Sequence, residues 1–428
     1  MLYLRNARYL DSVTFAFFEG NIAVEEGKNG DIRLDVVIPP LPERNVGDRE
    51  FDCKGQLVMR ALSCGHHHIY SILSRGMPPL PRTPQNFNEM LELVWWRLDK
   101  CLDNDMTYAS ALAAGLFMAK NGVVFCIDHH ASPLAADGSL SAISKAFEQI
   151  GIGHLLCHET SDRDGIDIAM KSLAEHERFF AAGGKGHVGL HASFTVSDDT
   201  LKAAVALAQQ YDTGIHIHVA EARSDQKHCL ATYGKTVVQR MKDAGVLDMP
   251  KTILGHCVHV SEEDKAILAA SPVWIAQNVE SNMNNNVGLG DYSFSKNVMF
   301  GTDGMHSDMI RSAQAAYFTG VMTEGQTLDG AYKRLRNVHR HTALHGPVGD
   351  GANNLIIFNY DSPTPLIPDL SHGNVLGHFF YGLSAKNVST VVSRGKIIVE
   401  NCRLVSGDEE EILAAACEQG KRLWEKLR

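Results

Sequence analysis

Apolar residues in this chain gather in short runs, each closed by a polar turn and followed by a longer stretch with helical spacing. The runs are GQLVMRALSC (55–64), GVVFCID (122–128), GIGHLLCHE (151–159), HVGLHA (187–192), GIHIHVA (214–220), TILGHC (252–257), SPVWIAQ (271–277) and NVMFGTD (297–303). Short apolar runs bounded by turn residues read as buried strands. The segments between them carry helix punctuation. SDDTLKAAVALAQQY opens on Ser197 and two acids, a cap set against the helix dipole. SEEDKAILAA has Ser261 and Asp264 at capping-box spacing, and MTYASALAAGLFMAKNG stops at Asn121-Gly122. Eight strand–helix alternations predict an α/β fold, a parallel sheet closed into a (β/α)8 TIM-like barrel. A doubly wound open sheet would show the dinucleotide fingerprint GxGxxG, and GIGHLL lacks its third glycine.

Both ends of the chain break this rhythm. Residues 1–56 contain NIAVEEGKNGDIRLDVVI, and residues 346–428 contain NNLIIFNY and VSTVVSRGKIIVENCRLV, strand–turn–strand patterns with little helix. They predict a small discontinuous β-sandwich built from both termini, flanking a barrel over 57–345. The final DEEEILAAACEQGKRLWEKLR reads as an amphipathic helix.

Composition narrows the classes. With 428 residues, 44% hydrophobic and 21% charged, the chain is an ordinary globular one with room for a large core. A formal net charge of -10 repels phosphate backbones, so no nucleic-acid partner is expected. Arg5, Arg8, Asp11 and Glu19 interrupt the start of the chain, and no uncharged apolar run is long enough to span a bilayer; neither a signal peptide nor a membrane partner is predicted. Nine cysteines without a CxxC pair suggest a reduced, cytoplasmic protein. The unusual count is histidine, at 21, which directs the search to a metal site.

In SCGHHHIYS, His66 and His68 alternate on a strand and so share a face, with His67 pointing away. They fall at the C-terminal end of the first run, where barrels of this type place their active sites. Four other runs end in a comparable residue: His191 (HVGLHA), His218 (GIHIHVA, with Glu221 three residues on), His256 (TILGHC) and Asp303 (NVMFGTD). His216 shares the face of His218 and stays an alternative ligand. Several imidazoles with a carboxylate suit one Zn2+, or Fe2+, with a position left for water; Mg2+ and Ca2+ ask for more oxygen. His67, His129, His130, His259 and His306 read as packing or supporting residues. MPPLPRTPQNFNEMLELVWWRLDK, 77–100, is placed to wall or cover the mouth. There Trp95 and Trp96 can stack a flat ring, although adjacent tryptophans on a helix more often pack a core. Asn282, in the amide-rich SPVWIAQNVESNMNNN, can read a heterocycle edge or shape a loop.

SCGHHHIYSILSRG, DHHASP, HASFTVSDDTL, HIHVAEA, GHCVHVSEEDKAIL, ESNMNNNVG and FGTDGMHSDM follow one another across nearly the whole chain. In that order they resemble the amidohydrolase superfamily, in its cyclic deaminase and chlorohydrolase branch. LVWWRLDK, IDHHASP, HETSDRDG and YDSPTPL are most similar to the SsnA-type aminohydrolases associated with selenium metabolism and purine catabolism. The resemblance implies one divalent metal on His66, His68, His218 and Asp303, catalytic partners in Glu221, His256 and Asp303, and a substrate-side contact at His191. It also implies a homo-oligomer, dimer or larger, and a small heterocyclic substrate. Arg60, Gln277 and Asn354 depart from the usual residues, and Gln277 is near enough to the mouth to count as a substrate contact. A barrel of binuclear relatives carries a lysine on its fourth strand; none matches here, so one ion is expected.

Together these predict a metal-dependent hydrolase that removes ammonia from an amino-substituted N-heterocycle, a purine, pyrimidine, pterin or triazine-like ring. Asp303 takes the proton of the attacking water, His256 aims it, and Glu221 protonates ring nitrogen and leaving amine. Cyclic-amide ring opening or chloride displacement would use the same site. A non-catalytic relative would have lost ligands that this chain retains.

Overall fold

The computed structural model describes residues 1–36, 47–80, 82–369, 371 and 373–428. Residues 37–46 of the first terminal segment and Pro81 of the proline-rich stretch lie outside the described residues.

Among the described residues, seventeen strands follow in chain order: β1 (Leu2–Leu10), β2 (Phe17–Val24), β3 (Ile32–Asp35), β4 (Arg49–Asp52), β5 (Leu57–Arg60), β6 (Leu62–His67), β7 (Val123–His130), β8 (Gly153–His158), β9 (Val188–Ala192), β10 (Ile215–Val219), β11 (Ile253–His256), β12 (Trp274–Gln277), β13 (Val298–Phe300), β14 (Leu355–Phe358), β15 (Val388–Ser393), β16 (Lys396–Glu400) and β17 (Arg403–Leu404). Strands β6 to β13 are the barrel. β6-β7-β8 and β9 to β13 pair in parallel in sequence order. Single parallel bridges, Leu156 to Gly186, Thr160 to Leu190 and His67 to Asp303, join the two arcs and close the ring. Phe125, Ile127, Leu155, Ile253 and Met299 fill its interior, while larger apolar clusters lie between the strands and the surrounding helices. The expected eightfold alternation is therefore the architecture found.

The helices sit where the punctuation put them. Ser197 accepts from the Thr200 amide to start Asp198–Gln210. Ser261 and Asp264 cap Glu262–Ala270 reciprocally. Asn104–Lys120 ends at Asn121, and Gly122 follows at a φ of 74°, a left-handed turn that glycine adopts without strain.

The terminal strands form one continuous nine-stranded sheet, ordered β17-β16-β15-β14-β5-β1-β2-β3 with β4 beside β1. Its strands alternate between two cores. Leu4, Val58, Leu355, Ile357 and Val392 pack into the domain's own core, and Leu10, Met59, Ile356, Phe358 and Val391 face the barrel's helical layer. The run at 55–64 divides between the two units. Leu57–Arg60 pairs with β1 and β14 in the terminal sheet, and only β6 enters the barrel, so residues 57–60, expected with the barrel, hydrogen-bond outside it. Neither glycine nor proline marks the break, which falls at Ala61.

Candidate metal centre and active site

The barrel strands turn sharply where they end. Ala220, His256 and Asp303 all adopt positive φ, 48°, 69° and 52°, a left-handed backbone that costs non-glycine residues about 1–3 kcal/mol each. Such strain, repeated at one rim, aims side chains inward instead of along their strands.

Four of the expected residues converge there. One ligand atom each from His66, His68, His218 and Asp303 lies within 4.8 Å of the others, all four residues being buried. Asp303 Oδ1 is 2.9 Å from His68 Nε2 and 3.4 Å from His66 Nε2, and His218 Nε2 is 3.2 Å from His68 Nε2. The far nitrogens are committed: His68 Nδ1 donates to the His129 carbonyl at 2.5 Å and His218 Nδ1 to the His191 carbonyl at 2.8 Å. Carbonyls only accept, so both Nε2 atoms present bare lone pairs when the rings are neutral. His66 Nε2 is buried without a hydrogen-bond partner among the described residues, and its Nδ1 meets His216 Nε2 at 2.8 Å. His216 thus stands behind His66, one layer down. Lone pairs and a carboxylate crowded around one point fit a divalent cation. Without one, a proton relieves the crowding: burial opposes it, but the hydrogen bond and charge of Asp303 raise the His68 pKa to about 9. Burial would raise Asp303, yet contacts from His66 and His68 hold it well below the usual carboxylate range.

A second pair lies beside the cluster. His256 Nε2 is 3.6 Å from Glu221 Oε2 and 3.8 Å from Asp303 Oδ2, and its Nδ1 is fixed at 2.8 Å by Asn282 Oδ1. Burial, reinforced by the Asp303 charge and opposed by His256, raises the Glu221 pKa. A carboxyl with a raised pKa keeps its proton to higher pH than an exposed one and can donate it.

A cleft opens over these groups, with His68, His218, Glu221, His256 and Asp303 in its lining. Phe87, Leu91, Trp95 and Trp96 give it an apolar wall, so part of the 77–100 stretch does border the mouth. A π turn over Leu91–Trp95 shifts the register, and both neighbouring tryptophans reach the cleft. His191 also lines it, its Nδ1 held at 2.7 Å by Thr195 Oγ1.

Two residues expected to touch substrate are not in that lining. Asn282 is turned back onto His256 and serves it as an acceptor. Gln277 points toward the helical layer, where Arg334 donates to its Oε1 at 3.1 Å. The neighbours Ser281, Asn284 and Asn285 line the cleft instead. Glu159 was overlooked. It ends the third apolar run just as Asp303 ends the eighth, and that rule alone would have found it. Its carboxylate is buried in the cleft, 3.4 Å from His129 Nδ1 and 4.0 Å from His191 Nε2. Asp99 was overlooked too. It lines the cleft with Oδ1 unpartnered among the described residues, while Oδ2 holds Arg163.

A family model described as the amidohydrolase family matches residues 57–341, and the chain belongs to that family. It is a metal-dependent hydrolase, and its full-length relatives are named as deaminases. The 5-methylthioadenosine/S-adenosylhomocysteine deaminase of Desulforudis audaxviator (strain MP104C) is 29% identical over 456 residues, covering 100% of both chains. The enzyme of the same name from Desulfitobacterium hafniense (strain Y51) is 30% identical over 393 residues, covering 87% of each. An adenosine deaminase from Xanthomonas campestris with bound zinc shares the fold at a TM-score of 0.82 and 16% identity, over 99% of this chain and 98% of that one. Atrazine chlorohydrolase from Arthrobacter aurescens TC1 complexed with zinc does so at 0.78 and 18%, over 98% and 100%. Among the described residues, no helix is long and apolar enough to cross a membrane.

Proposed function

We propose that the protein is an aminohydrolase that removes the exocyclic amine of an adenine-type nucleoside, with one Zn2+ on His66, His68, His218 and Asp303. The observation that carries the reading is Glu221: a buried carboxyl with a raised pKa, 3.6 Å from His256 and opening on the same cleft as the ligand cluster. A hydrolase that only displaced chloride would not need an acid for a departing amine. The full-length relatives named for adenosine-derived substrates support the purine.

A divalent ion held by His66, His68, His218 and Asp303 would supply Lewis acidity and lower the pKa of a water. Asp303 Oδ2, turned toward His256, accepts the proton that water loses. His256, locked by Asn282, orients the attack on the ring carbon that bears the amine. Glu221 gives its proton to the adjacent ring nitrogen and then to the leaving amine, so that water and substrate leave as ammonia and the oxo product. Trp95 and Trp96 offer flat apolar surface to the base, and the unpartnered carboxyl of Asp99 in the same lining supports recognition of sugar hydroxyls.

Nine free cysteines, six of them buried, support a reducing, cytoplasmic setting. Exposed Phe318, Val321, Met322 and Tyr381 support a homo-oligomer. The test is ammonia release from 5-methylthioadenosine, S-adenosylhomocysteine and adenosine against a pyrimidine, pterin and triazine panel. Chloride release or ring opening without ammonia would overturn the reading.

A further inference from the structure

At the opposite end of the barrel three more histidines meet. His187 immediately precedes β9, at the base of that strand, and His341 and His345 end the Leu328–Thr342 helix and the turn after it. Ring centroids are 5.2 Å apart for His187 and His341, 4.9 Å for His187 and His345, and 5.1 Å for His341 and His345. One nitrogen of each lies within 4.8 Å of the others.

Core histidines normally spend their nitrogens on hydrogen bonds. His176 shows this, with Nδ1 on the Ser172 carbonyl and Nε2 accepting from the His158 and Gly189 amides. The basal trio does not. Both nitrogens of His187, Nδ1 of His341 and Nε2 of His345 are buried with no hydrogen-bond partner among the described residues. Each such group costs about 1–3 kcal/mol if left unmet. His341 Nε2 donates to the Lys251 carbonyl at 3.1 Å, which leaves the lone pair on the unpartnered Nδ1. The Lys251 ammonium is itself compensated by Asp212 at 3.0 Å.

We propose that His187, His341 and His345 form a second metal site at the barrel base, for one divalent ion of the imidazole-preferring kind, Zn2+ above all. Tetrahedral zinc wants ligand nitrogens about 3.4 Å apart, so the trio, now within 4.8 Å, would close toward that spacing. His345, partly exposed on a three-residue turn, supplies both the movement and the entry path. The fourth position then belongs to water. His216 stands between this trio and the rim cluster, 5.6 Å from His187 and 4.9 Å from His66 between ring centroids, so the two sites are distinct.

The test loads metal-stripped wild type and His345→Gln with Zn2+, desalts both and measures zinc per chain, with folding followed by circular dichroism. Wild type is expected to retain one ion more per chain than the variant, whatever the rim cluster binds. Equal zinc in two folded proteins overturns the site. A second measurement needs no variant: diethylpyrocarbonate modification of His345, mapped by mass spectrometry, should fall at least severalfold when wild type is loaded with Zn2+. Unchanged reactivity of His345 overturns the proposal equally.

Discussion

The Nε2 atoms of His68 and His218 face each other at 3.2 Å, and each ring's other nitrogen already donates to a main-chain carbonyl. Two bare acceptors at that distance repel unless a cation or a proton lies between them. The rim is therefore built for a charge that the chain itself does not supply.

Chelation should abolish ammonia release, and Zn2+ should restore it. His218→Ala should lower kcat/KM by ~10³-fold or more, since a polarising ion contributes several kcal/mol to the transition state. Zinc analysis with activity assays checks both. Full activity in a zinc-free protein would contradict the assignment of the cluster.

Glu221→Gln should keep the metal and lose about 10²–10⁴-fold in kcat, the range for a positioned acid–base group. The wild-type rate should also fall on the alkaline side. Burial raises the Glu221 pKa, so the carboxyl stays protonated to higher pH than an exposed one, and donation is lost as pH rises through that raised value. A kcat–pH profile without this alkaline limb would remove Glu221 from the donor role.

Much of this site was readable before any coordinates because strand geometry is periodic. Alternation alone puts His66 and His68 on one face, and the strand-end rule gathers His191, His218, His256 and Asp303. The same rule applied to LLCHE would have included Glu159. Side-chain direction beyond the strand ends was not readable. Asn282 and Gln277 lie near the mouth in sequence, but one turns onto His256 and the other onto Arg334. The break between β5 and β6 escaped because neither glycine nor proline interrupts LVMRALSC. That both Trp95 and Trp96 reach the cleft was not readable, because a π turn is a register shift that ordinary helical spacing does not contain.

Asn282→Ala should act through His256. The amide oxygen fixes Nδ1 at 2.8 Å, and its loss frees the ring to rotate away from Glu221 and Asp303. By analogy with partners that orient metal ligands, we expect a fall of about 10–100-fold in kcat with unchanged zinc content. KM should change little, because Asn282 does not border the cleft. A KM effect with intact kcat would make Asn282 a substrate contact after all.

Asp99→Ala should separate nucleosides from free bases. Burial raises the Asp99 pKa to about 7 against the pull of Arg163, and Asp99 lines the cleft with its buried Oδ1 unpartnered among the described residues. A hydrogen bond to a charged acceptor contributes about 1.5–3 kcal/mol, so KM for a nucleoside should rise about 10–100-fold. The free base should be unaffected. Equal losses on both substrates would place Asp99 in the folding of the wall, not in sugar recognition.

Asp350 ties the barrel to the terminal sheet and should set the acid stability of the whole chain. Its carboxylate accepts from Ser63 at 3.0 Å, His339 at 2.8 Å and Thr342 at 2.5 Å, and Arg60 of β5 donates to its carbonyl at 3.0 Å. Burial would raise its pKa, but the His339 contact, Arg60 and Thr342 hold it far below the ordinary value. A carboxylate whose folded pKa is depressed stabilises the fold fully above its unfolded pKa, about 3.9, and loses that contribution as pH falls toward the folded value. Asp350→Asn should destabilise the protein at pH 7 by about 3 kcal/mol, the cost of breaking a buried pair. It should also flatten the decline in stability below pH 4. Urea unfolding at pH 7 and at pH 3.5 reads both effects. A variant as stable as wild type at pH 7, with the same acid sensitivity, would show that the junction is held by its apolar faces alone.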